Sequence, residues 1–251
     1  QGGQGRLAPR EGLVVMSGKQ AKGGGIVVPV DGPAGSGKST LAKRIADHLQ
    51  WEYLESGAIY RAVGLSVLEM GGNPENPEEA ARQARNLSFE CRKTPQGWRN
   101  FLNGRDATDN LREERVSEAA SMVSTHPVVR EALLDFQRSY GRDGGAVIDG
   151  RDIGTVVFPA ARLKFFLDAD VEVRIQRRFQ ELREKGVDFD PEKLGASLRE
   201  RDHRDRHRAQ APLIQAKDAF RLDTSKLSVD DVLRIMLDKI AREYGQLIDL
   251  R

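Results

Sequence analysis

The clearest local pattern in the chain is the short apolar run Ile26-Val27-Val28-Pro29-Val30, followed by a glycine-rich turn and then by Leu41, Ala42, Ile45, Ala46 and Leu49 at helical spacing. That order predicts strand, loop, helix. Pro29 has no N–H to give a ladder, so one local pairing defect is expected there. Two further buried strands are predicted at Ala146-Val147-Ile148-Asp149 and Leu163-Lys164-Phe165-Phe166-Leu167, the second leading into a helix capped by Asp170 and ending near Gly186. A fourth is Ala219-Phe220-Arg221-Leu222. Ser228 with Asp231 three residues later resembles a capping box for a terminal helix with Val232, Ile235, Met236 and Ile240 on one face. Short apolar strands alternating with amphipathic helices imply a parallel sheet covered on both sides.

The segment between the first two of these strands differs in texture. Leu87 to Arg92 and Trp98 to Leu102 read as two strands joined through Thr94-Pro95-Gln96-Gly97, a small antiparallel hairpin in a separate lobe. Residues 171 to 208 carry many Arg and acidic residues and few apolar positions after Leu198, which suits a solvated, mobile flap. Residues 1 to 24 are rich in Gly, Gln, Lys and Arg and are expected to be a disordered leader. Within it Met16-Ser17-Gly18-Lys19 has the look of a natural start, so residues 1 to 15 read as upstream sequence.

Composition narrows the class. With 251 residues, 39% hydrophobic and 31% charged, the chain suits one α/β domain with a smaller lobe or two. No run approaches the ~18 apolar residues that span a bilayer, so no membrane is expected. Basic and acidic residues number 40 and 38, which argues against a nucleic-acid binder and makes local placement of Arg matter more than the total. The single cysteine, Cys91, excludes an intrachain disulfide and a Cys-rich zinc site; it reads as a strand residue in a reducing cytoplasm.

Chemistry enters at Gly32-Pro33-Ala34-Gly35-Ser36-Gly37-Lys38-Ser39, with Thr40 next. It matches G-x-x-x-x-G-K-[ST] and sits between a predicted strand and helix, where the phosphate loop (P-loop) mechanism needs it. Glycines let backbone N–H groups converge on an anion, the helix presents its positive end, Lys38 reaches the outer phosphates of a nucleoside triphosphate, and the Ser39 hydroxyl can ligate Mg2+. The Asn-Lys-x-Asp segment with which GTPases read guanine is missing, so that class falls.

Moving phosphate onto a phosphate acceptor joins two polyanions and calls for cationic clamps. Three segments offer them: Glu55-Ser56-Gly57-Ala58-Ile59-Tyr60-Arg61, Asp149-Gly150-Arg151-Asp152-Ile153-Gly154-Thr155, and Arg201-Asp202-His203-Arg204-Asp205-Arg206-His207-Arg208. The second starts at the carboxyl end of a core strand, where open α/β sheets bind ligands. From the residues alone, Arg151-Asp152 also fits a structural ion pair, and the 201 to 208 run a solvated helix face. Arg174, Arg177 and Arg178 are candidates for contacts to ATP and equally fit solvated helix charges.

From Ile26 to about Val232 the chain resembles bacterial-type cytidylate kinases, through GPAGSGKST, SGAIYRAV, AASMVSTHPVVREALLDFQR, DGRDIGTVVFP and RDHRDRHRAQAPL in that family's order. The resemblance implies an α/β P-loop kinase core with a parallel sheet flanked by helices. To this it adds an inserted lobe for the nucleoside monophosphate (NMP), with a small antiparallel hairpin, and an Arg-rich lid. The core would be 25–62, 141–170 and 209–251, the NMP-binding insertion 63–140 and the lid 171–208. It implies phosphorylation of CMP and dCMP by ATP with Mg2+; the alternatives are another small acceptor (UMP, AMP or shikimate) or a non-catalytic ATP-binding switch. Ser56, Arg61, Arg151 and Arg208 would hold the CMP phosphate, Arg201 and Asp205 the sugar hydroxyls, and Ser121, Arg130 and Asp152 the cytosine. Lys38, Arg61, Arg151 and Arg208 would neutralise charge during transfer. The partners expected are small nucleotides, with no nucleic acid, for a cytoplasmic monomer. Two positions depart from the family: Glu55 where Asp is usual, and Arg115 where an acid is usual.

Overall fold

The computed structural model describes residues 25–142 and 144–246, so the expected leader lies outside the described residues. In chain order the elements are β1 (Ile26–Asp31), α1 (Lys38–Leu49), β2 (Glu52–Glu55), α2 (Ser56–Glu69), α3 (Pro77–Arg85), β3 (Phe89–Thr94), β4 (Gly97–Leu102), β5 (Arg105–Asp106), α4 (Glu114–Val123) and α5 (Pro127–Ser139). They continue with β6 (Gly145–Gly150), a π-turn (Ile153–Val157), β7 (Phe165–Asp168), α6 (Val171–Glu184), α7 (Pro191–His207), β8 (Phe220–Asp223) and α8 (Val229–Tyr244).

Five strands form one parallel sheet in the order β2-β6-β1-β7-β8. Successive side chains of a strand point to opposite faces, and β1 shows the consequence. Val27 joins Leu54, Ala146 and Ile148 in an apolar cluster with α2, α3, α4 and α5, while Ile26, Val28 and Val30 join Val147, Phe165 and Leu167 in a second cluster with α1 and α8. Both faces are therefore covered, as the near-continuous apolar strands require.

The pairing defect expected at Pro29 is absent on the β6 side, where the register runs unbroken from Ile26 to Asp31. On the other side the ladder to β7 holds only Val30 and Asp31, so it begins just past the proline. β7 starts two residues later than predicted, although the Lys164 carbonyl still accepts from the Phe220 amide of β8 at 2.8 Å; the Lys164 ammonium turns to Asp218 at 2.7 Å and the Pro159 carbonyl at 2.6 Å. β2 was not predicted at all; four residues that lead straight into a helix give too little period to read.

The hairpin forms as predicted, β3 against β4 with Thr94 opposite Gly97, and the two-residue β5 extends it to three strands. Phe89, Leu102 and Leu111 of the insertion share the cluster of α2 and the core sheet, so insertion and core are packed on common apolar ground. Asp170 occupies the N-cap of α6 without a side-chain cap bond, whereas the Ser228 hydroxyl accepts from the Asp231 amide at 3.1 Å and caps α8. The flap sequence forms α6 and α7, and Cys91 lies half-buried on β3.

Candidate active site

The carboxyl ends of β1, β2 and β6 open onto a cleft of about 580 Å³. Every candidate site residue named from the sequence lines it, except Gly32, Pro33 and Arg174. Gly32 has a packing reason instead, since a Cβ there would lie 2.1 Å from the Leu167 carbonyl oxygen. Eleven Lys and Arg line the cleft against six Asp and Glu, in a chain whose total charge nearly cancels. Such a concentration of cations in a concave surface selects polyanions.

On the donor side the phosphate loop runs from β1 into α1, with Gly37 at the N-cap in a left-handed conformation (φ 87°) that favours glycine. Lys38 folds back to donate to the Pro33 carbonyl at 2.9 Å. Burial first, and then the charge of Arg151, lower its pKa to about 7. Ser39 donates to Asp149 at 2.5 Å, and Asp149 also accepts from the Tyr53 hydroxyl at 2.8 Å. Asp149 had no role in the sequence reading, although an acid ending the strand beside the loop strand is a usable signal. Tyr53 sits on the unpredicted β2 and could not be placed.

Arg174 is neither a solvated charge nor a lining residue. It is 3% exposed and lies under the phosphate loop, donating to the Ala34 carbonyl at 2.9 Å and the Ala169 carbonyl at 3.0 Å and pairing with Asp202. Arg177 and Arg178 do line the cleft; Arg177 is tied to Thr224, whose hydroxyl donates to the Ser36 carbonyl at 3.1 Å.

On the acceptor side the arginines are held by carboxylates. Arg61 of α2 pairs with Glu55, Arg151 with Asp205 of α7 at 2.7 Å, and Arg130 of α5 with Asp152, toward which Arg208 also points at 3.6 Å. Burial opposes ionisation of Glu55, but Arg61 and Lys43 hold its pKa down at about 2. Burial also opposes ionisation of Asp205, and Arg151 and Arg201 overcome it. At Asp152 burial wins over Arg130 and Arg208 and raises the pKa. Arg201 is lowered to about 10 by burial and by Arg151. Two buried donors of cleft-lining arginines, Arg61 Nε and Arg208 Nη2, have no hydrogen-bond partner among the described residues, which is what an anion site looks like before its anion. Ser56 and Ser121 are buried at the same wall, Ser121 accepting from Arg204 at 3.1 Å. Arg115, the second departure, pairs with Glu113 at 2.6 Å and is not among the lining residues.

A glycine loop cradling one polyanion, opposite a wall of arginines for another, defines a P-loop kinase of small acceptors. A family model for cytidylate kinase matches residues 28–242. A cytidylate kinase of Magnetococcus marinus is 44% identical over 225 residues, covering 88% of this chain and 96% of its own. Cytidylate kinases of Bordetella bronchiseptica and Geobacillus kaustophilus are 45% and 41% identical, covering 84% and 88% of this chain and 93% and 98% of theirs. The chain belongs to the cytidylate kinase family.

Proposed function

We propose that the protein transfers the γ-phosphoryl group of ATP to CMP and dCMP, giving ADP with CDP or dCDP. The observation that carries this reading is the placement of Asp152, with Arg130 and Ser121, on the cleft wall that also holds the unpartnered arginine donors. Cytosine presents an exocyclic amino donor beside ring N3 and O2 acceptors, so a carboxylate flanked by Arg and Ser donors complements it. Uracil sets an oxygen against that carboxylate, a buried mismatch of about 1–3 kcal/mol.

The attacking group is a phosphate oxygen of CMP that is already anionic, so no general base is required. A bond forms from that oxygen to the γ-phosphorus as the bond to the β,γ-bridging oxygen breaks, and ADP leaves with the electron pair. Lys38, Arg61, Arg151 and Arg208 align and neutralise the two phosphate chains, which supplies most of the catalysis in this class of reaction. Ser56 joins them on the acceptor phosphate, and Arg201 and Asp205 take the sugar hydroxyls. Ser39 and Asp149 present two oxygen ligands side by side beside the loop, a donor set that fits Mg2+. When bound there, Mg2+ supplies further positive charge at the phosphates. Residues 63–140 serve as the NMP-binding insertion and 171–208 as a lid whose closure excludes water.

We read the enzyme as a cytoplasmic monomer with no nucleic-acid partner. Among the described residues no helix is long and apolar enough to cross a membrane. An ADP-release assay with ATP and Mg2+ tests the activity, comparing CMP, dCMP, UMP, AMP, GMP and shikimate at equal concentration. Turnover on CMP and dCMP well above the rest is expected; no turnover on any of them would leave ATP binding as a switch and overturn the proposal.

A further inference from the structure

Beyond the end of β6 the chain makes a π-turn, Ile153–Val157, and the residue at its N-cap is Asp152. The first amides of such a turn have no partner inside it, and an Asp at that position ordinarily accepts from the second or third of them with its own carboxylate. Asp152 does not. Its oxygens face the other way, Oδ2 onto Arg130 and Oδ1 toward Arg208. The amides of Ile153 and Gly154 donate instead to Asp31, at 2.9 Å to Oδ1 and 2.7 Å to Oδ2.

Asp31 is the last residue of β1 and directly precedes the phosphate loop. Its carboxylate is an expensive feature. It is 4% exposed and has no ion pair among the described residues, and burial raises its pKa to about 7 even though both amides act to lower it. A buried acid without a counter-ion is disfavoured unless its hydrogen bonds repay the desolvation, and here those bonds go to one place only.

We propose that Asp31 is a positioning residue: it caps the π-turn in place of Asp152 and so leaves the Asp152 carboxylate free to face the acceptor base. The proposal rests on the reading that Asp152 meets the cytosine amino group. One carboxylate thus does for its neighbour what that neighbour would do for itself, and it ties the root of the phosphate loop to the wall that reads the base. Without it the turn draws the Asp152 side chain back onto its own amides, and base recognition suffers while the ATP loop keeps its shape.

Asp31→Asn keeps the volume and one carbonyl oxygen but sets an amino group against the second amide. With ATP saturating, KM for CMP should rise roughly tenfold and the CMP-over-UMP preference should shrink by a similar factor, while KM for ATP stays within about twofold. In an Asp152→Asn background the same change should add less than about twofold to KM for CMP, because the residue it acts through is already disabled. A lowered Tm with unchanged KM and unchanged preference would make Asp31 merely structural and overturn the proposal, as would an undiminished effect in the Asp152→Asn background. If Asp152→Asn alone leaves the preference intact, the base reading itself fails and this inference goes with it. Should Asp31→Asn not fold, hydrogen exchange in the wild type decides: amides of Ile153 and Gly154 as slow as those of β6 support the cap, and fast exchange at both contradicts it.

Discussion

The two halves of the cleft solve the same problem, holding a phosphate, by opposite means. The donor half is one contiguous loop in which backbone amides and a helix terminus meet the anion, with Lys38 and Ser39 at its end. The acceptor half is assembled from α2, α5, the turn after β6, and α7, and there Arg61, Arg130 and Arg151 are engaged with Glu55, Asp152 and Asp205. On the proposed function, a preformed backbone cradle loses little when ligand arrives, whereas Arg61 and Arg151 exchange an internal carboxylate for a substrate phosphate. On that reading the donor side supplies affinity for any nucleoside triphosphate, and selectivity falls to the acceptor side, where the wrong partner leaves a charge unpaired.

The largest effect should come from breaking the donor half. Lys38→Ala removes the cation proposed to reach the outer phosphates, and turnover should fall by about 10² to 10³ with the far-UV circular dichroism unchanged. Near-normal turnover in the folded variant would remove Lys38 from catalysis.

Asp152→Ala should be next. It deletes the acceptor for the cytosine amino group and leaves Arg130 and Arg208 without their counter-ion, so kcat/KM for CMP should drop by roughly 10- to 100-fold, a cost of about 1–3 kcal/mol. UMP should lose less, and the gap between the two substrates should close. An equal loss on both would show that Asp152 sets charge and not base choice.

A smaller signature lies in the protons. Burial and the charge of Arg151 hold the pKa of Lys38 at about 7, below its unfolded value. Between about pH 7 and pH 10.5 the unfolded chain then binds the extra proton, so this group's contribution to stability rises as pH rises through that window. ATP phosphates beside Lys38 should restore its charge, and binding at pH 8 should take up as much as about one proton. Calorimetry of ATP binding in buffers of different ionisation enthalpy measures this; the uptake should vanish in Lys38→Ala, and its persistence there would assign it elsewhere.

The smallest change is expected at the family departure. Glu55→Asp shortens the carboxylate that holds Arg61 and should release the guanidinium to the substrate, lowering KM for CMP by about 2- to 5-fold with little change in kcat. A large loss of turnover would mean that the longer side chain is compensated elsewhere in this protein.

The same contrast decides what the sequence reveals. The loop is legible because its chemistry is local: eight consecutive residues between a strand and a helix carry the whole anion site. The acceptor residues are far apart in the chain, and Ser121 or Arg130 on its own is an ordinary helix residue; only the order of several motifs draws them together. What stayed hidden is mostly long-range or short. Asp31 meets partners more than 120 positions away, Arg174 turns inward under the phosphate loop from a helix whose charges look solvated, and β2 and β5 have too few residues to show a period. The π-turn leaves no mark in Ile153-Gly154-Thr155-Val156-Val157, which reads like apolar chain of any kind.

If the acceptor wall chooses its nucleotide by the base, kcat/KM in the wild-type protein, with ATP and Mg2+ saturating, should favour CMP over UMP by roughly tenfold or more, as a buried polar mismatch requires. Equal values, or a preference for UMP, would rule out base reading by Asp152, Arg130 and Ser121.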